Sequence, residues 1–212
     1  TLDGLVARIH LAGDDSPREL VLPVPGEHMA LNALAALIAV RDYGGDVSEA
    51  LEALTHFGGV NRRFQYHGHV GGIRVYDDYA HHPTEARAVL TAAREVADAD
   101  AQGLGHPGRV IVCFQPHLFS RTEQFAEEFA KALDLADYAI VLDIYGAREK
   151  PIPGVTSELI TTQLTIPHKY QPDFSKVPYD VAAIAEPGDI VLTMGAGNVT
   201  MEADAVIALL KG

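Results

Sequence analysis

Val110-Ile111-Val112-Cys113-Phe114, followed at once by Gln115-Pro116-His117, is the stretch on which the fold turns. An unbroken apolar run this short, rich in β-branched residues and closed by a proline, reads as a strand covered on both faces. A strand with one wet face alternates instead. Residues 139–142 and 190–193 repeat the pattern. Helix signals separate these strands. Phe125, Phe129, Ala132 and Leu133 form one apolar stripe, and Ser120 with Glu123 predicts a capping box at its start. Pro83, with its fixed φ and missing N–H, suits the first position of an earlier helix, and a last helix is expected from about Asn198 to Leu210. The alternation predicts the α/β class: a Rossmann-like, mostly parallel sheet with helices on both faces.

Working outward, residues 63–69 and 73–77 predict strands around Gly71-Gly72, and residues 99–108 a polar loop. Further upstream the pattern changes. Leu5, Ala7, Ile9 and Leu11 alternate, a turn follows at Gly13-Asp14-Asp15-Ser16-Pro17, and Leu20-Val21-Leu22 predicts the partner strand of a hairpin. Leu31, Leu34, Ala35 and Ile38 recur at helical spacing, and Asp46 with Glu49 opens a second helix through Leu54. Phe57-Gly58-Gly59-Val60 breaks that pattern, so a domain boundary is expected there, dividing 1–56 from 57–212.

Composition narrows the function classes. Of 212 residues, 48% are hydrophobic and 21% charged, which allows a globular core and excludes wholesale disorder. Sixteen basic against twenty-nine acidic side chains give a formal charge of −13. That disfavours a nucleic-acid surface or an anionic-membrane face. The longest apolar run, 30–40, is too short to span a bilayer and contains Asn32. A single cysteine, Cys113, excludes a disulfide framework and a cysteine zinc site, and suits the reducing cytoplasm.

In a parallel sheet, ligands bind beyond the carboxyl ends of the strands. Three segments fall there: Asp77-Asp78-Tyr79-Ala80-His81-His82-Pro83, Gln115-Pro116-His117 and Gly195-Ala196-Gly197-Asn198. The first packs two carboxylates, a phenol and two imidazoles into seven positions, a density with no packing value. A carboxylate there can accept from ribose hydroxyls and an imidazole can position an amine or a carboxylate; solvated helix caps are the alternative. A metal site is disfavoured, because adjacent His81 and His82 on a turn point apart. Arg62-Arg63 can clamp phosphates, or simply begin an exposed strand. His28 and Asn32, one helical turn apart, can meet a nucleoside or form an ordinary polar face. Arg121 sits in a helix first turn, where a cation opposes the dipole; an anionic partner or solvent explains it. Gly195-Ala196-Gly197 lacks the dinucleotide fingerprint spacing and reads as a tight turn.

Together these segments resemble the Mur ligases, the muramate–amino acid ligases of bacterial peptidoglycan synthesis, and most of all the alanine-adding members. The carrying residues are Gly26-Glu27-His28 with Asn32, Asn61-Arg62-Arg63-Phe64-Gln65, Asp77 through Glu85, Phe114-Gln115-Pro116-His117 with Arg121-Thr122, Asp143 through Val155, and Gly195-Ala196-Gly197. The resemblance implies that 1–56 is the tail of a central ATPase domain and 57–212 a complete C-terminal ligase domain. It also implies that ATP with Mg2+ phosphorylates the carboxylate of UDP-N-acetylmuramate and that L-alanine attacks the acyl phosphate. By this resemblance His28 and Asn32 contact adenosine, Arg62 and Arg63 the ATP phosphates, and Asp78 the ribose. Tyr79, His81 and Arg121 surround the amino-acid and muramyl carboxylates, with Arg63 and His81 nearest the chemistry. The chain opens at Thr1 and contains no G-x-x-x-x-G-K-[ST] phosphate loop, so a piece of a larger enzyme, inactive by itself, is expected. A ligase that recycles a ready-made tripeptide, and a non-catalytic nucleotide-binding module, are the alternatives.

Overall fold

The structure is a computed structural model that describes residues 4–104 and 107–212. The chain divides into two compact units, Thr1–Val60 and Asn61–Gly212.

The first unit opens with β1 (Leu5–Ile9) and β2 (Arg18–Leu22), an antiparallel pair in the register Leu5↔Leu22 to Ile9↔Arg18. The Asp14 carboxylate pairs with Arg18 at 2.6 Å across the turn. Two helices follow, α1 (Glu27–Asp42) and α2 (Val47–Thr55). Asp46 caps α2, its Oδ1 accepting the Ser48 N–H at 2.6 Å and the Glu49 N–H at 3.3 Å. The core joins Ile9, Leu11, Leu20 and Leu22 to Met29, Ala33, Leu37 and Val47. This corrects the expected face of α1: Leu31 is 59% exposed and Ile38 37%. The helix is alanine-rich and apolar on nearly every side, so spacing alone did not select which stripe turns inward.

The second unit holds a six-stranded sheet of β3 (Gln65–Val70), β4 (Ile73–Asp78), β5 (Val110–Phe114), β6 (Tyr138–Leu142), β7 (His168–Gln171) and β8 (Ile190–Met194). Their spatial order is β3-β4-β8-β5-β6-β7; β3 runs antiparallel to β4, and every other pairing is parallel. The helices are α3 (Pro83–Leu104), α4 (Phe119–Leu133), α5 (Glu158–Thr161), α6 (Val177–Ile184) and α7 (Thr200–Leu210). Strand β5 shows why its run is wholly apolar. Val110, Val112 and Phe114 join the core under α3 and α4, while Ile111 and Cys113 join the opposite core under α6 and α7.

Two expectations change. Residues 99–104 belong to α3 rather than to a loop, and residues 105–106 of that predicted loop lie outside the described residues, as does the opening at 1–3. The helix after β5 starts at Phe119, so Ser120 lies inside its first turn instead of capping it. The cap comes from a distant loop: the Glu149 carboxylate accepts the Ser120 N–H at 2.9 Å and the hydroxyl at 2.5 Å.

Candidate functional site

Three adjacent parallel strands, β4, β8 and β5, end side by side. Gly195 N–H donates to the Asp78 carbonyl at 3.0 Å, and Gln115 N–H to the Met194 carbonyl at 2.9 Å. The three loops singled out in sequence therefore share one rim. The Gly195-Ala196-Gly197 turn is filled by protein. The buried Gln115 side chain accepts the Val199 N–H at 3.1 Å, and a Cβ on Gly197 would lie 2.3 Å from Gln115 Oε1 and 2.8 Å from Tyr145 Cγ. Glycine there permits close packing of the neighbouring chain.

The adjacent arginines have different tasks. Arg62, held at φ 60°, donates to the fully buried Asp77 carboxylate at 3.2 Å and to the Gly195 and Gly197 carbonyls at 2.5 and 3.4 Å. Asp77 also accepts the hydroxyls of Thr193 at 2.8 Å and Thr200 at 2.7 Å. Arg62 thus pins the entry of the unit to the rim. Arg63 is exposed, and among the described residues its guanidinium has no hydrogen bond or ion pair, only the Tyr79 ring 5.7 Å away. Arg62 lies 4.7 Å from the same ring.

Asp78 is 1% exposed, and its two oxygens accept the Phe64 and Ala80 N–H groups, each at 2.7 Å. One carboxylate thereby fixes both the arginine segment and the Tyr79–His81 turn. Burial pushes the Asp78 carboxyl up to about 6, opposed by those two N–H donors and by Arg63, with Asp77 adding to the rise.

Beyond Asp78 the chain turns into α3. Glu85, three residues into the helix, accepts the N–H groups of His81 at 3.0 Å and His82 at 3.2 Å. The two imidazoles diverge as expected: His82 meets Phe125 edge-on at 5.2 Å, whereas His81 faces the rim. There its ring lies 5.1 Å from Tyr79 and 5.5 Å from His117. Arg121 donates to the His81 carbonyl at 3.3 Å and reaches His117 Nδ1 at 3.5 Å. His117 stacks on Tyr145 at 5.7 Å, and the Tyr145 backbone bonds to both Pro116 and Leu118. Burial, then the His81 and Arg121 charges, hold the His117 imidazole below its ordinary range, against a smaller opposing pull from Glu149.

The rim therefore gathers Arg62, Arg63, Asp78, Tyr79, His81 and Arg121. His28 and Asn32 lie one turn apart on α1 of the first unit, His28 half-buried and Asn32 exposed. Sequence reasoning gave no role to Glu85, His117, Tyr145 or Glu149, although all four stand in the quoted segments. The signal for Glu85 was its place at the third helical position after the His-His pair. Among the described residues no group of three or more His, Cys, Asp or Glu side chains has the arrangement of a metal site. None of the described helices is long and apolar enough to cross a membrane.

Residues 62–197 match the family described as Mur ligase, glutamate ligase domain. The chain belongs to the Mur ligase family. Proteins named UDP-N-acetylmuramate–L-alanine ligase from Rhodococcus opacus and Mycolicibacterium smegmatis are 55% and 52% identical to it, over 98% of this chain and 43% and 42% of theirs. The crystal structure of UDP-N-acetylmuramate-alanine ligase from Thermotoga maritima superposes with a TM-score of 0.77 at 30% identity, covering 98% of this chain and 43% of that one. A murein peptide ligase from Psychrobacter arcticus shares the fold at a TM-score of 0.68 and 22% identity. The chain spans less than half the length of these Mur ligases.

Proposed function

We propose that this chain supplies the acceptor-side half of an ATP-dependent ligase that joins L-alanine to UDP-N-acetylmuramate in cytoplasmic peptidoglycan synthesis. In this reading, residues 1–56 are the tail of the ATPase domain and 57–212 the ligase domain. The observation that carries it is the charge of the rim. In a chain of net charge −13, the carboxylates of Asp77 and Asp78 are buried, while Arg63 and Arg121 have no carboxylate partner among the described residues. Such a surface suits phosphate and carboxylate groups.

ATP supplies the phosphoryl group that activates the muramyl carboxylate. Arg63 is the cation free to meet its phosphates, as phosphoryl transfer relies on positioning and charge compensation. Arg62, already engaged on three acceptors, acts by holding Arg63 in place. Asp78 is the carboxylate assigned to the ribose and ties the Arg63 and Tyr79 segments together. Tyr79, His81 and Arg121 orient the carboxylate of the amino acid and the acyl group it attacks. His28 and Asn32 are assigned to adenosine.

The test is product formation by the full-length protein with ATP, UDP-N-acetylmuramate and either L-alanine or the tripeptide. L-Alanine is expected to discharge the acyl phosphate. Discharge by tripeptide alone makes the protein a recycling ligase, and no ADP with either makes it a binding module.

A further inference from the structure

His81 Nδ1 stands 3.0 Å from the Tyr79 carbonyl and 3.4 Å from Glu85 Oε2. Both are acceptors, so Nδ1 carries the proton and the neutral ring leaves Nε2 bare. His117 is in the opposite state. Its Nδ1 faces Arg121 at 3.5 Å, and a guanidinium only donates, which places the His117 proton on Nε2. Two imidazoles with centroids 5.5 Å apart are thus a proton acceptor and a proton donor.

We infer that Glu85 is a positioning residue for the ligation step: by accepting the His81 and His82 N–H groups it holds the turn that seats His81 Nδ1 on the Tyr79 carbonyl, leaving Nε2 as the proton acceptor, and it balances the imidazolium that forms. The inference rests on the ligase reading above. The same carboxylate oxygen takes the His81 and His82 N–H groups, so helix start and ring orientation depend on one side chain. Burial alone raises the Glu85 carboxyl, but the His81 N–H and ring, the His82 N–H and Arg63 outweigh it and keep it ionised. The arrangement follows the logic of a carboxylate orienting a catalytic imidazole. The groups facing His81 are Glu85, Tyr79, His117 and Arg121.

In the step itself, the amino acid enters as an ammonium and gives one proton to His81 Nε2. Its nitrogen lone pair forms the C–N bond at the acyl carbon. The C–O bond to phosphate breaks with its electron pair on the leaving phosphate, which takes the second N–H proton.

Two measurements test this. In the 212-residue chain, two-bond proton–nitrogen spectra should show His81 protonated at Nδ1, and Glu85→Ala should lose that preference. A wild-type His81 protonated at Nε2, or a tautomer unchanged in Glu85→Ala, overturns the inference. In the full-length protein, Glu85→Gln keeps an oxygen for the cap but not the charge. It should slow aminolysis at least tenfold, a part of the roughly 10²–10⁴ that positioned proton transfer supplies, and leave acyl-phosphate formation unchanged. Equal slowing of both half-reactions reduces Glu85 to a helix cap and also overturns it. A wild-type protein that forms no acyl phosphate overturns the ligase reading and with it the role in ligation, whereas a ligase with the wrong His81 tautomer overturns this inference alone.

Discussion

The two ends of the parallel sheet use the same residue types in opposite ways. At the amino ends, Arg109 makes a two-point contact with Asp189 at 3.2 and 2.7 Å and a bond to the Ile184 carbonyl at 2.7 Å. Arg94 pairs with Asp137, which also accepts the Val110 N–H at 2.7 Å. At the carboxyl ends the buried Asp77 claims only Arg62, while Arg63 and Arg121 lack carboxylates among the described residues. Every non-glycine residue with positive φ among the described residues lies at this second end: Arg62, Phe64, Leu118 and Ala147. Carboxylate-paired Arg94 and Arg109, with no non-glycine positive φ among the described residues, mark the amino end. Arginines without carboxylate partners and strained backbone mark the end proposed to meet ligands, where strain tends to collect.

The difference can be broken by exchanging readouts. Arg63→Ala in the full-length protein should reduce turnover by about 10²–10³, the usual loss for one electrostatic contact to a developing charge, with the melting temperature unchanged. Arg109→Ala should do the reverse. It leaves Asp189, 2% exposed, with only the backbone N–H groups of residue 109 and Glu186, and should cost roughly 2–3 kcal/mol in denaturant unfolding while sparing turnover under folding conditions. Asp78 sharpens the contrast by pH. Its carboxyl titrates near 3.8 when unfolded and about 6 when folded, so folding takes up a proton between them. That contribution, about 3 kcal/mol at roughly 1.36 kcal/mol per pH unit, is complete below pH 4 and lost as pH rises through 6; Asp78→Asn should flatten the slope in melts across this range. The smallest effect is expected of Gly197→Ala, where overpacking against Gln115 and Tyr145 should cost about 1–2 kcal/mol by thermal unfolding.

Much of the second unit was legible because burial on both faces leaves an unmistakable run, as in β5, β6 and β8. Strand β7 was not: His168-Lys169-Tyr170-Gln171 is a polar edge strand whose first two residues are exposed and whose last is buried, and nothing in its composition marks it. The rim was legible as a set of segments, because topology alone brings strand ends together. Its division of labour was not. Arg62 and Arg63 are the same residue type at adjacent positions, and only the left-handed turn at Arg62 sends one guanidinium inward and leaves the other exposed. The cap at Ser120 was misread for a related reason, since its partner Glu149 is remote in sequence.

Hydrogen exchange on the full-length protein, with and without ATP and UDP-N-acetylmuramate, tests the central claim most directly. Ligand should slow exchange in 61–64, 79–82 and 117–121, and leave 108–110 and 186–189 unchanged. Protection confined to the amino-end segments, or none at the carboxyl-end rim, would contradict the account.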